Sequence, residues 1–264
     1  MPNKSVELLN MIDSDKAMLD AARPLPKHTA ASLREKLMLD WIYHSNALAG
    51  NTLTLLETKV VLEGITVAEK TLREHLEATN HREAIVYVEG IVSKAEVLSE
   101  IQIRKIHSLV VRDIDVDEEG RYRDENVEIH RATATPPASG YLRAEVASLI
   151  DWYGTSNDQH PVERAAELHT RFLKIRPFVD GNGRTARLLL NLELMREGYP
   201  PAIIREQDRH TYSEAIEGAN ASGDFRAITR LVSESLGRSF RAYLDLLGTS
   251  RADVHDSLPS ANQH

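Results

Sequence analysis

Apolar residues recur every three or four positions through most of this 264-residue chain, and that rhythm leaves packed helices as the main way to bury them. The pattern predicts helices over 36–44, 53–63, 72–97, 100–113, 142–153, 162–176, 183–197, 209–220 and 224–247. Gly50 and Asn51 separate the first two. Asn51 or Thr52 can cap the second, and Thr54 with Glu57 has the spacing of a reciprocal capping box. One stretch, 113–135, lacks the rhythm: its charged turn ends at Gly120, and Tyr122, Val127, Ile129, Ala132 and Ala134 are spread before Pro136 and Pro137. A short β-hairpin is expected there. The fold class is therefore mainly α, a helical bundle with one hairpin. Residues 1–30 are read as a helical extension, 31–248 as the main domain and 249–264 as a flexible tail.

Composition narrows the functions. With 32 basic against 40 acidic residues the net charge is -8, so no broad positive field exists to attract nucleic acid or an anionic membrane. The absence of cysteine removes disulfides, thiol nucleophiles and cysteine metal sites. The longest apolar run, near 187–194, is interrupted by Asn191 and Glu193, and the first thirty residues hold no signal-peptide stretch. A cytoplasmic location is the expectation, and any anion site must be local.

The run from Arg176 to Arg187, RPFVDGNGRTAR, stands between two helical patterns. Gly181 and Gly183 allow successive backbone N–H groups to point into one concavity that suits phosphate oxygens, at the start of a helix whose dipole adds to the attraction. Arg184, Arg187 and Asn191 follow at spacings of three and four, which puts them on one helix face, and two guanidinium groups there suit a polyphosphate. Asp180, just before the glycines, is the carboxylate placed to hold a magnesium ion bridging phosphate oxygens. His44, His130, His169 and His210 are read as packed, capping or exposed residues, with His130, in the expected hairpin, the best candidate for chemistry.

This run resembles the motif H-x-F-x-[D/E]-G-N-G-R-x-x-R of the Fic family of AMP-transferring domains, and similarity continues through 43–46, 50–54, 72–75 and 196–205. The resemblance implies a Fic-like helical bundle with the hairpin, near 120–137, as a flap that holds the acceptor by strand addition. It implies ATP as co-substrate or ligand with Mg2+ on Asp180, phosphates on Gly181, Asn182, Gly183, Arg184 and Arg187, and the nucleoside near Tyr212 and Asn220. Two departures stand out. Arg176 replaces the histidine that serves the family as general base, and a guanidinium cannot take a proton at neutral pH. In the family's inhibitory helix, here near 40–50, the pattern [S/T]-x-x-x-E-[G/N] reads Ser45 to Gly50 with Ala49 in place of the glutamate, which leaves Arg187 free for a γ-phosphate. Two functions remain open: a variant nucleotidyltransferase acting on an anionic acceptor, protein or small molecule, or a non-catalytic module that binds nucleotide and regulates a partner. A homo-oligomer is compatible with either.

Overall fold

Short polar signals set where the helices begin. Thr54, Thr71 and Ser99 each accept a hydrogen bond from the backbone three residues on, and Glu57, Glu74 and Gln102 bond back to the cap. These boxes start three helices of a computed structural model that describes residues 4–127, 135–156 and 158–247. In chain order the helices are α1 (Lys4–Ala21), α2 (Lys27–Leu48), α3 (Leu55–Leu62), α4 (Leu72–Ser93), α5 (Glu100–Val111), α6 (Leu142–Thr155), α7 (Pro161–Ile175), α8 (Asn182–Arg196), α9 (Arg209–Ser222) and α10 (Arg226–Leu246).

Helix α8 is the centre. Leu188, Leu189 and Leu192 belong to a core shared with α2, α4, α5, α6 and α7, whereas Leu190 and Leu194 face a second core with α1, α9 and α10. A helix apolar all round must be covered all round. Two of its interior polar residues are satisfied within the core: the Asn191 side chain exchanges hydrogen bonds with the backbone of Ala202, and Glu193 accepts from Arg164 and from the Tyr153 hydroxyl. Asn191 therefore anchors the strand-like return after α8, and not a phosphate.

The predicted helices are present, with two shifts. Helix α4 ends at Ser93 rather than 97, because Ala95 adopts a left-handed conformation (φ 53) and Ser99 caps the next helix. Helix α2 runs from Lys27, well before 36. The expected hairpin contributes no strand among the described residues. Its legs are joined instead by side chains: Arg123 donates to the Pro137 carbonyl and Asn126 accepts from the Ser139 N–H. Residues 128–134, with His130, lie outside the described residues, as does the expected tail beyond 247. No helix among the described residues is long and apolar enough to cross a membrane.

Helix α1 packs along α10, with Ile12 and Leu19 buried in the second core and Ile12 close against Gly237. Replacing Ile12 by alanine is expected to cost about 2–4 kcal/mol in chemical denaturation. A loss under about 0.5 kcal/mol would show that α1 is not part of the cooperative unit.

Candidate functional site

The loop between α7 and α8 is closed by its own asparagine. The Asn182 side chain accepts from the Phe178 N–H at 3.1 Å and donates to the Phe178 carbonyl at 2.7 Å, and it is buried. What Asn182 offers a phosphate is its backbone N–H. Together with those of Gly183 and Arg184 it opens α8, where N–H groups lack intrahelical acceptors. Gly181 takes φ 71, and a Cβ there would sit 3.0 Å from Val111 Cγ1 and 3.2 Å from His107 Nε2. Only glycine fits that position without strain. At Gly183 a Cβ would lie 3.3 Å from the Arg187 guanidinium, so the missing side chain lets Arg187 lie over the helix start.

Sequence reasoning did not find His107. Its ring stacks on Phe178 at 3.6 Å between centroids, its Nδ1 accepts from the Gly120 N–H, and its Nε2 lies 3.0 Å from the Asp180 carbonyl. Burial first, and then Arg184, push it down to about 4, so it is a neutral support with both nitrogens engaged. No motif pointed to it; the nearest signal was its polarity among the apolar positions of α5.

The charged side chains form one network. Arg184 is 2% exposed and meets Glu77 Oε1 at 3.2 Å and Asp180 Oδ2 at 3.3 Å. Glu77, from α4, also escaped the sequence reading, although it sits one helical turn after Arg73. It accepts from Asn51 at 2.8 Å and from Arg73 at 3.2 Å. Asp180 is half exposed and pairs with Arg73 as well as Arg184. Burial pushes its carboxyl up, but Arg184, the Gly181 N–H and Arg73 outweigh this and hold it below its ordinary value, ionised at neutral pH.

Arg187 is not free-standing. Its Nε donates to Ser45 Oγ at 2.9 Å and one Nη donates to the Ser45 carbonyl at 2.6 Å. No carboxylate pairs with it among the described residues. Tyr212 is buried beside it with its hydroxyl 2.7 Å from His169 Nε2, and burial with the Arg187 charge drives that histidine down to about 3. Asn220 lies near the end of α9, half-buried. Ala49, exposed, is the C-cap of α2 one turn beyond Ser45.

Arg176 ends α7 in a left-handed conformation, φ 47. Its side chain forms no ion pair among the described residues, and Asp180 is occupied by other arginines, so the two do not pair. Beside it is Arg123, buried, whose guanidinium donates only to backbone carbonyls of Arg176, Glu125 and Pro137. Burial and the Arg176 charge both lower the Arg123 pKa. Two cations thus meet at the loop mouth, and neither has an ion-pair partner among the described residues.

These features define a class: a helical domain with a glycine loop that leads into a central helix through a network of buried charges. Comparison gives the family. A sequence model of the Fic/DOC family matches residues 97–194. The chain is 39% identical over 244 residues to "Protein adenylyltransferase Fic" of Nematostella vectensis, covering 90% of this chain and 56% of that protein. It is 35% identical over 233 residues to "Protein adenylyltransferase fic-1" of Caenorhabditis elegans, covering 85% and 44%. The chain thus spans about half the length of the curated relatives it matches. A crystal structure of a Fic domain containing signaling protein from Bacteroides thetaiotaomicron superposes with a TM-score of 0.83 at 30% identity, covering 92% of this chain and 98% of that one. A Fic-1 fragment from C. elegans gives the same score and identity, covering 92% and 73%. The chain belongs to the Fic family.

Glu77→Ala leaves the buried Arg184 cation without its closest carboxylate partner. The expected loss is about 3–5 kcal/mol of unfolding free energy, and Glu77→Gln should recover part of it by packing. A wild-type denaturation midpoint in Glu77→Ala would overturn the assignment of Glu77 as the neutralising partner.

Proposed function

We propose that this chain binds ATP with Mg2+ over the start of α8 and, as a Fic-type nucleotidyltransferase, directs AMP to an acceptor that is already ionised. The observation that carries this reading is the pair Arg123 and Arg176, two guanidinium groups at the loop mouth without a carboxylate partner among the described residues. Arginine's planar fork binds a carboxylate or phosphate in two-point fashion, so an anionic acceptor suits this place better than a neutral hydroxyl. An ionised acceptor oxygen attacks the α-phosphorus, the bond to the β-phosphate bridging oxygen breaks, and pyrophosphate leaves. No proton has to be removed, so no general base is needed.

For the triphosphate, the backbone of Asn182 to Arg184 and the Arg187 guanidinium supply donors, and Arg184 acts as a fixed positive charge. Tyr212 and Asn220 are assigned to the nucleoside side of the site. No group of three or more His, Asp or Glu side chains able to hold a metal occurs among the described residues. Magnesium commonly uses one or two carboxylates together with substrate phosphates, and the ionised, half-exposed Asp180 fits that need. When bound it would neutralise phosphate charge. The flap near 120–137 would carry the acceptor, protein or small molecule.

A second reading, a nucleotide-binding module that regulates a partner without turnover, is favoured by the state of the histidines near the loop: His107 and His169 are engaged and neutral, and His81 is fully buried and held well below its ordinary value by burial and by Arg187 and Arg184. Calorimetry with ATP and Mg2+, paired with pyrophosphate release against hydroxyl and anionic acceptors, separates the two. We expect binding that Arg187→Ala weakens at least tenfold, as roughly expected for a charge-assisted phosphate contact, transfer to anionic acceptors that Arg176→Ala abolishes, and gain of hydroxyl AMPylation in Arg176→His. Binding without any product selects the module; no binding rejects both readings.

Residues 45 and 49 share one face of α2, so a carboxylate at 49 would be delivered beside the serine that holds Arg187. Ala49→Glu is therefore expected to weaken ATP binding in the same calorimetric assay. An unchanged dissociation constant would sink the placement of Ala49 as the lost inhibitory position.

A further inference from the structure

A second concave site lies away from the phosphate loop, between α2, α10 and the segment that follows α8. Its volume is about 290 Å³. Four cations line it: Lys36 from α2, Arg205 from the connecting segment, and Arg238 and Arg241 from α10. Only two carboxylates, Asp40 and Asp245, share that lining. In a chain whose net charge is -8, this is a local reversal of sign.

The cations do not collapse onto these acids. Lys36, Arg205 and Arg241 form no ion pair and no side-chain hydrogen bond among the described residues. Arg238 is partly buried and bonds through one Nη to Asp208 at 2.9 Å and to Ser235 Oγ at 2.9 Å, while its Nε is buried with no acceptor. The groups around the pocket register its positive potential. His44 is pushed down to about 4 by burial, then by Arg205 and Arg238, and Arg238 itself is lowered by burial and by Arg205 against the pull of Asp208. Surface arginines are often merely solvated; what separates this group is convergence of four cations on one cavity, three of them without an ion pair among the described residues.

We propose that this pocket is a binding site for a small phosphomonoester carrying free hydroxyls, such as a sugar phosphate, separate from the nucleotide site. Arg205 and Arg241 receive the phosphate, because guanidinium groups offer paired donors matched to its oxygens, and Arg238 adds its charge from the wall. Asp40 and Asp245, which a bare anion would avoid, accept from the hydroxyls. The pocket also touches the candidate site through α2: His44 lines it and accepts from the Glu206 N–H, and the next residue, Ser45, holds Arg187.

The test is calorimetric titration of the full chain with ribose 5-phosphate, inorganic phosphate and ribose. Ribose 5-phosphate is expected to bind more tightly than phosphate, with ribose silent. The double variant Arg205→Ala/Arg241→Ala removes two exposed, unpaired side chains and should keep its melting temperature while losing at least about tenfold in affinity. Asp40→Asn should weaken ribose 5-phosphate and leave inorganic phosphate unchanged. Absence of binding at millimolar ribose 5-phosphate overturns the proposal. So does binding that Arg187→Ala abolishes and the double variant leaves intact, since that ligand would sit in the phosphate loop.

Discussion

Burial of one guanidinium organises this molecule. Arg184 sits at the start of the central helix, almost wholly out of water, where an uncompensated cation would be strongly destabilising. Glu77 reaches it from α4, and the same carboxylate takes Asn51 from the α2–α3 connection and Arg73 from its own helix. Asp180, on the loop, closes the other side. The loop therefore cannot shift relative to α4 and α8 without exposing unpaired charge. Donors held this way need little rearrangement when a phosphate arrives, which is the condition for strong electrostatic binding in a site shielded from water.

Sequence alone reached the helices because an amphipathic rhythm and its caps are local properties. Thr54 with Glu57 was legible for that reason, as was Gly181, whose left-handed conformation is tied to residue type; Gly183 is helical, and its missing side chain makes room for Arg187 instead. What stayed hidden depends on contacts far apart in the chain. Glu77 looks like any helical surface glutamate until α8 is laid against it, and His107 acquires its place from Phe178 and Gly120. Asn182 shows the limit within a motif. Its position in the loop was legible, but that its side chain would be spent on Phe178, leaving only its N–H for a ligand, follows from the closed geometry. In the segment after Gly120 spread apolar residues suggested a ladder; its described legs hold no strand and are tied by Arg123 and Asn126, and residues 128–134 lie outside the described residues.

Histidine placement bears on whether any imidazole near Arg176 and Arg187 could serve as a base. His107 is locked between two backbone groups. His169 and His81 are buried beside Arg187, and a second positive charge there is opposed by both desolvation and repulsion. A base must change its charge during the reaction, and these sites resist that change. Their neutrality suits another purpose, since uncharged rings fill the space under the arginines without competing for the anion.

The residues at positions 176 and 49 act on the local charge in one direction. Arginine at 176 adds a positive charge at the loop mouth, next to Arg123, and alanine at 49 withholds a negative one from the neighbourhood of Arg187. Both raise the potential where a polyanion would sit, in a chain whose overall charge repels polyanions. Arg187 is meanwhile kept in place by Ser45, a neutral partner that orients the guanidinium without neutralising it. A carboxylate in that role would have to be displaced before a phosphate could bind; a serine hydroxyl and carbonyl can stay, because the guanidinium retains donors for the ligand. On the function proposed above, the site would hold an anion readily, and turnover would depend on an acceptor that arrives without a proton to lose.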